Sequence, residues 1–231
     1  MIALLDADIL AYRIAFACDG EGDKVARLRL NSYVIDLITW GVDKAFDGCY
    51  VDAWNLYLTG KGNFRHSIAT TAVYKGNRTA PKPKHLSILR DFLVKEWDAE
   101  VVSGEEADDA IAIAATTLGD NSIMVSVDKD FDQIPGWHYN FNKKLGYYIT
   151  PEQGILNFYK QILTGDAADN IIGIKGIGPV KSSKLLEDIA DEKSLYKKCL
   201  EAYDGDAARV IENGQLLWLR RQPNQLWQPP T

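Results

Sequence analysis

Met1-Ile2-Ala3-Leu4-Leu5-Asp6-Ala7-Asp8 is the stretch on which the fold turns. Residues 2–5 are apolar without alternation, the pattern of a strand covered on both faces, as central parallel strands are. Helical spacing begins almost at once, from Ile9 to Phe16, so the strand runs directly into a helix. In open α/β sheets ligands gather beyond the carboxyl ends of the strands. Asp6 and Asp8 fall at such an end.

Outward from this point the alternation continues. About Val25 to Phe46 reads as helix, Ala53 to Leu58 as strand, His85 to Trp97 as helix and Glu100 to Val102 as a short strand. Glu105 to Leu118 is a helix with acids at its positive end, and Ser122 to Val127 is a strand followed by Asp128 and Asp130. His138–Phe141 and Tyr147–Ile149 suit a hairpin, and Pro151 opens a helix to about Leu163. Short helices follow, at roughly Val180–Ile189, Lys193–Tyr203 and Asp206–Leu219. Strands alternating with helices predict an α/β fold, a mostly parallel sheet flanked by helices, with a small helical module after it. The expected division is 1–163 for the α/β domain, including a basic loop or arch at about 60–84, and 164–221 for the helical module. The tail 222–231, with Pro223, Pro229 and Pro230, is expected to be poorly ordered. No internal repeat or low-complexity segment is seen.

A chain of 231 residues, 46% apolar and 25% charged, suits one good core with a helical appendage. No stretch is long enough to cross a bilayer and no signal-peptide pattern opens the chain, so a monomer of the cytoplasm, without membrane partners, is expected. The three cysteines, Cys18, Cys49 and Cys199, lack metal-ligand spacing and read as free thiols.

Taken as a total, the net charge of −6 argues against a nucleic-acid partner. Its distribution says otherwise. Setting aside Asp6, Glu106, Asp108, Asp109, Asp128, Asp130, Asp166 and Asp169 leaves 24 of the 32 acids against 26 bases. Between Asp52 and Asp91 there is no acid, yet Lys61, Arg65, Lys75, Arg78, Lys82, Lys84 and Arg90 all lie there. A surface of one sign has phosphate as its natural partner.

The acids fall at four places, around Asp6, Glu106-Ala107-Asp108-Asp109, Asp128-Lys129-Asp130 and Asp166-Ala167-Ala168-Asp169. Glu106 and Asp109 share a helix face with Asp108 close by, and Asp128 and Asp130 point the same way if the chain there is extended. Any one such group is ordinary as a cap or turn. Four of them on a fold that collects ligands at strand ends suit hard cations, Mg²⁺ or Mn²⁺, which bind carboxylate and substrate phosphate together. Two ions roughly 4 Å apart would activate water and stabilise a leaving oxygen. The hairpin Gly173-Ile174-Lys175-Gly176-Ile177-Gly178-Pro179 lets backbone N–H groups approach phosphate, with Lys175, Lys181 and Lys184 adding charge. Tyr74-Lys75-Gly76-Asn77-Arg78 sets an aromatic beside two cations, which suits stacking on frayed nucleic acid. Together these point to a metal-dependent nuclease.

The ordered set Asp6, Phe64-Arg65, Tyr74-Lys75-Gly76-Asn77-Arg78, Glu106-Ala107-Asp108-Asp109, Asp128-Lys129-Asp130 and Gly165-Asp166-Ala167-Ala168-Asp169-Asn170 resembles the 5′→3′ exonuclease/flap endonuclease family, and in length and acidity a phage-encoded member. The resemblance covers roughly residues 1–190. It implies a PIN-like (resolvase-like) nuclease domain with a helix–three-turn–helix DNA-binding module. The implied activity is two-metal hydrolysis at the 5′ ends of duplex, flap or RNA-primed DNA during replication, alongside replication proteins and, for a phage protein, in the host-cell cytoplasm.

By position, the resemblance gives Asp6, Glu106 and Asp108 to a first metal. Asp128, Asp130, Asp166 and Asp169 go to a second, with Asp109 nearby. Lys75 and Arg78 become the cations acting on the scissile phosphate, and Tyr74 a stacking residue. Arg65, Lys82, Lys84 and the hairpin residues Lys175, Gly176, Gly178, Lys181 and Lys184 become DNA contacts. K⁺ is expected on the hairpin, at Gly173, Lys175, Gly176 and Gly178.

One departure stands out: where the family usually has an aspartate at the end of the second strand, this chain has Thr59, and Asp8 is the acid placed to compensate. Thr59 therefore motivates an alternative, a 5′-junction DNA-binding protein with weakened chemistry. Asp6-Ala7-Asp8 motivates another, an aspartate-nucleophile phosphatase, which leaves the basic stretch and hairpin unexplained. Nothing in the residues reads a 2′-hydroxyl, so RNA cutting stays open.

Overall fold

The computed structural model describes residues 1–46 and 50–231. By internal contacts they form two units: residues 1–62, 80–131 and 136–148 make the first, and 63–79, 132–135 and 149–231 the second.

The first unit carries the sheet. Its strands are β1 (Ile2–Asp6), β2 (Ala53–Thr59), β3 (Glu100–Val102), β4 (Ser122–Val125), β5 (Gly136–Asn140) and β6 (Leu145–Ile149), in spatial order β3-β2-β1-β4-β5-β6. β1 is parallel to β2 and β4, β2 to β3, and β4 to β5. β1 is therefore central, and Ala3, Leu4 and Leu5 are fully buried, as an unalternating apolar strand must be. Helices α1 (Ala7–Ala17), α2 (Asp23–Asp36), α3 (Val42–Ala45), α5 (Leu86–Trp97) and α6 (Ala107–Leu118) belong to this unit. Leu10, Leu30, Val34, Leu89 and Leu93 pack from them into the core with Leu56, Leu58 and Ile123.

The single helix expected over residues 25–46 is instead α2 and α3, separated by a π-helical turn at Leu37–Gly41. Asp128 and Asp130 are not extended either. Asp130 N–H donates to Asp128 Oδ1 at 2.9 Å, and Lys129–Gln133 is a 3₁₀ turn, a local alternative that aspartate side chains favour.

The second unit holds α4 (Arg65–Ile68), α7 (Pro151–Thr164), the paired strands β7 (Gly165–Asp166) and β8 (Ile171–Ile172), then α8 (Pro179–Leu185), α9 (Glu192–Ala202) and α10 (Ala207–Leu217). Thr150 and Gln153 form a capping box with Pro151 in the first turn of α7, which fixes the start of that helix. The unit has its own core, in which Phe158, Tyr159, Ile162, Leu163, Val210 and Trp227 are buried.

Two expectations change here. The boundary at 163/164 moves, because α7 and residues 63–79 contribute to the second core. The tail is held, because Trp227 stacks edge-on to Phe158 at 5.5 Å and lies over Gly214, where a Cβ would come within 2.3 Å of the indole.

Cys18 and Cys199 are free and buried. Cys49 lies outside the described residues. Among these, no helix is long and apolar enough to cross a membrane.

Candidate metal centre and basic strap

The acids of the first unit sit where the strand ends put them. Asp6 ends β1 and caps α1, accepting from Ile9 N–H at 3.3 Å and from the Ser126 hydroxyl at 3.1 Å. Ser126 follows β4 and also accepts from Asp128 N–H at 3.1 Å, so one hydroxyl ties two acidic segments together. Glu106 is the N-cap of α6 and forms a capping box with Asp109, whose side chain accepts from Glu106 N–H at 3.2 Å. Asp109 is fully buried, Glu106 buried, and Asp108, Asp128 and Asp130 half-buried.

Electrostatics show the closeness of these groups. Burial pushes the Asp6 carboxyl up to about 6, and the negative charges of Asp128 and Glu106 add to the rise against the hydrogen bonds from Ile9 and Ser126. Asp128 and Glu106, from two other parts of the chain, thus both repel the Asp6 carboxylate at the carboxyl edge of the sheet. As they stand, no three Asp, Glu, His or Cys side chains among the described residues are arranged to hold an ion. Asp6 and Asp109 spend their oxygens on protein donors instead. The donor set is nevertheless all hard oxygen, and a divalent cation is the partner that would relieve the repulsion.

Asp8 is not a spare ligand. It forms an ion pair with Arg90 of α5 and accepts from Thr59 N–H at 2.7 Å. Asp8, expected to compensate for Thr59, is thus bound to Thr59 itself and to Arg90. Burial lowers the Arg90 guanidinium from its ordinary range, though an arginine stays charged.

In the second unit the turn between β7 and β8 carries the other acids. Asp166 is buried, and its Oδ1 accepts from Ala168 N–H at 2.7 Å and Asp169 N–H at 3.3 Å. Residues 74–78 dock on this turn as a strap. The Tyr74 hydroxyl donates to Asp169 Oδ2 at 2.7 Å, Arg78 Nη2 to Asp169 Oδ1 at 2.5 Å, and Asn77 Nδ2 to Ala167 O at 2.6 Å. Lys75 Nζ lies 3.6 Å from Asp169 Oδ2. Asp169 therefore orients both cations.

Two DNA contacts expected from sequence are placed otherwise. Tyr74 is buried with its hydroxyl engaged, so it is no open stacking platform. Arg65 is 1% exposed, and its guanidinium donates to Leu216 O at 2.8 Å and Trp218 O at 2.9 Å. Arg78, Lys82, Lys84, Lys175, Lys181 and Lys184 are exposed, and Lys75 half-buried. Gly178 caps α8 with Pro179 in its first turn, and Gly176 turns the chain at φ +83°.

Ser126 and Glu212 escaped the sequence reading. Glu212 of α10 accepts from Thr70 N–H at 2.6 Å, Thr71 N–H at 2.7 Å and Arg209 Nη1 at 2.8 Å, anchoring the segment before the strap. A lone Ser after a strand and a lone Glu in a helix carry no signal of distant partners.

No protein-family model matches the chain. It is 32% identical over 161 residues to the flap endonuclease Xni of Shewanella piezotolerans, covering 62% of each. It is 29% identical over 231 residues to a 5′-3′ exonuclease of Mycoplasma genitalium, covering 84% of this chain and 74% of that protein. The chain spans about three fifths of the length of the Xni relative. The D15 flap endonuclease of bacteriophage T5, solved with DNA and metal ions, has the same fold, with a TM-score of 0.69 at 16% identity over 94% of this chain and 88% of that one. The fold they share is a mostly parallel, helix-flanked sheet. The chain is thus similar in sequence to flap endonucleases and a 5′-3′ exonuclease, and it shares the fold of the T5 flap endonuclease.

Proposed function

We propose that this protein is a divalent-metal-dependent 5′→3′ nuclease that hydrolyses phosphodiester bonds at the 5′ ends or flaps of DNA. The observation that carries the reading is Asp6, buried at the end of the central strand with Asp128 and Glu106 raising its proton affinity. Asp6, Glu106 and Asp108 are proposed to hold one Mg²⁺ or Mn²⁺ ion, and Asp128 and Asp130 to serve a second. When bound, such ions ionise the attacking water and stabilise the leaving oxygen.

The chain's own residues do the rest. Ser126 holds Asp6 and the Asp128 turn in register. Lys75 and Arg78 supply fixed positive charge to the DNA backbone. Lys175, Lys181 and Lys184, with the backbone of the Gly173–Gly178 hairpin, form a phosphate grip that suits K⁺ as well. Asp166 and Asp169, metal ligands by resemblance, are assigned here to holding the strap, since Asp169 already meets Tyr74, Lys75 and Arg78. A phosphatase built on Asp6-Ala7-Asp8 is disfavoured by the Asp8–Arg90 ion pair.

The test uses 5′-labelled duplex, 5′-flap and RNA–DNA hybrid with Mg²⁺, Mn²⁺ or EDTA. Short 5′ products are expected with either metal and none in EDTA, and Asp128→Ala should slow release at least a hundredfold. Cutting that persists in EDTA, or Asp128→Ala within a few-fold of wild type, would sink the reading.

A further inference from the structure

Thr59 stands at the end of β2, and its surroundings show what it does. Its hydroxyl accepts from Ala107 N–H at 3.0 Å, the first residue of α6 and the neighbour of Glu106. Its own N–H donates to Asp8 Oδ2 at 2.7 Å, and its carbonyl accepts from Arg90 Nη2 at 2.5 Å. Arg90 closes the circuit by its ion pair with Asp8. Every polar group of Thr59 is used, and each partner comes from a different helix: Asp8 from α1, Arg90 from α5 and Ala107 from α6.

The register is rigid nearby. Gly60 N–H donates to Val102 O at 2.7 Å, and a Cβ on Gly60 would come within 2.3 Å of that oxygen. The first N–H groups of a helix have no partner inside it, and a neutral hydroxyl that satisfies one holds the helix start without adding negative charge. A carboxylate at position 59 would lie beside Asp8 and add to the repulsion already crowding Asp6, Asp128 and Glu106.

We infer that Thr59, Asp8 and Arg90 form a positioning network that fixes the start of α6, and with it Glu106, against the end of the central strand. None of the three is a metal ligand. Arg90 keeps Asp8 as the acceptor that orients Thr59, and Thr59 orients α6. The chain has exchanged a carboxylate at this strand end for a neutral cap braced by an ion pair. The weakened chemistry that Thr59 suggests in sequence therefore does not follow from its place in the structure. The link to metal binding rests on the function proposed above, whereas the network itself does not.

Wild type, Thr59→Ser, Thr59→Val and Arg90→Lys are compared as full chains. In EDTA, hydrogen exchange at the Ala107 amide should speed about tenfold in Thr59→Val, the size of one lost hydrogen bond, and remain near wild type in Thr59→Ser. Calorimetry with Mn²⁺ should show roughly tenfold to a hundredfold weaker uptake in Thr59→Val and Arg90→Lys, as for lost supporting contacts around a metal. Thr59→Ser should keep wild-type affinity. Wild-type exchange at Ala107 together with wild-type Mn²⁺ affinity in Thr59→Val overturns the network, as does an equal loss in Thr59→Ser. Were Thr59→Val to unfold, Arg90→Lys with unchanged Ala107 exchange would overturn it. A wild-type protein that cuts no DNA defeats the proposed function and leaves the exchange result standing.

Discussion

Burial and the charges of its neighbours strain Asp6, and its pH dependence has a definite sign. Unfolded, its carboxyl titrates near 3.8; folded, burial first and the Asp128 and Glu106 charges next push it up to about 6. Below about pH 4 both states hold the proton and the folded protein loses nothing. As pH rises from about 4 through 6, the unfolded chain releases a proton that the fold retains, so stability falls by on the order of 3 kcal/mol. In EDTA at pH 8, Asp6→Asn should therefore melt higher than wild type by roughly 5 °C. The difference should vanish below pH 4, and Mn²⁺ should reverse it by stabilising wild type alone. Parallel melting curves across this pH range would show that Asp6 is not strained. The aspartate itself was visible in sequence as the acid after an apolar run. The hydroxyl of Ser126 that shares the work was not, because its partner lies 120 residues away.

At the scale of elements, the β7–β8 pair depends on close backbone approach. Gly165 has φ +65°, and a Cβ there would sit 2.3 Å from Ile171 O and 2.4 Å from Gly173 N. Gly165→Ala should destabilise the protein by about 3 kcal/mol or more, since strain and overlap act together, and urea unfolding at 25 °C measures it. The segment before the strap depends on α10 through Glu212. Burial alone would raise that carboxyl, but hydrogen bonds from Thr71, Thr70 and Arg209 outweigh it and hold it down to about 2. Its contribution is thus present above about pH 4.5 and lost as pH falls toward 2. Glu212→Gln should cost about 2 kcal/mol in the same urea experiment at pH 7, with weaker binding of a 5′-labelled duplex through the loosened strap. Unchanged stability would mean the anchor is redundant.

The elements legible in sequence were those whose own residues state their neighbours. β3 is found at Glu100–Val102, as its apolar brevity implied, and α7 at Pro151–Thr164, where proline and a capping box mark its start. Less legible was the stretch 63–79. Its cations read as one exposed arch, yet Arg65 is buried with partners 151 and 153 residues ahead in the chain. A run of like charge reports net sign well, but it cannot say which cation is folded inward.

At the scale of the whole molecule, the carboxylates crowded around Asp6 oppose the approach of a DNA backbone. On the function proposed above, divalent ions would have two separable tasks, hydrolysis and the removal of this repulsion. An uncompensated carboxylate about 10 Å from a phosphate costs roughly 0.4 kcal/mol in water, and several phosphates bring this to about 1 kcal/mol. Asp6→Asn and Glu106→Gln should each tighten binding of a 5′-labelled duplex about fivefold in EDTA at 50 mM salt, while lowering cleavage in Mg²⁺ by a hundredfold or more. The gain should fade by 0.5 M salt as screening shortens its reach. Lys75→Ala and Arg78→Ala act in the opposite sense: affinity falls, and the slope of log K against log salt drops by about 1 for each. Fluorescence anisotropy of one duplex, with and without EDTA across a salt series, measures both effects. If the amide variants lose cleavage but bind as wild type does in EDTA, the carboxylates act on chemistry alone and lie beyond electrostatic reach of the bound strand.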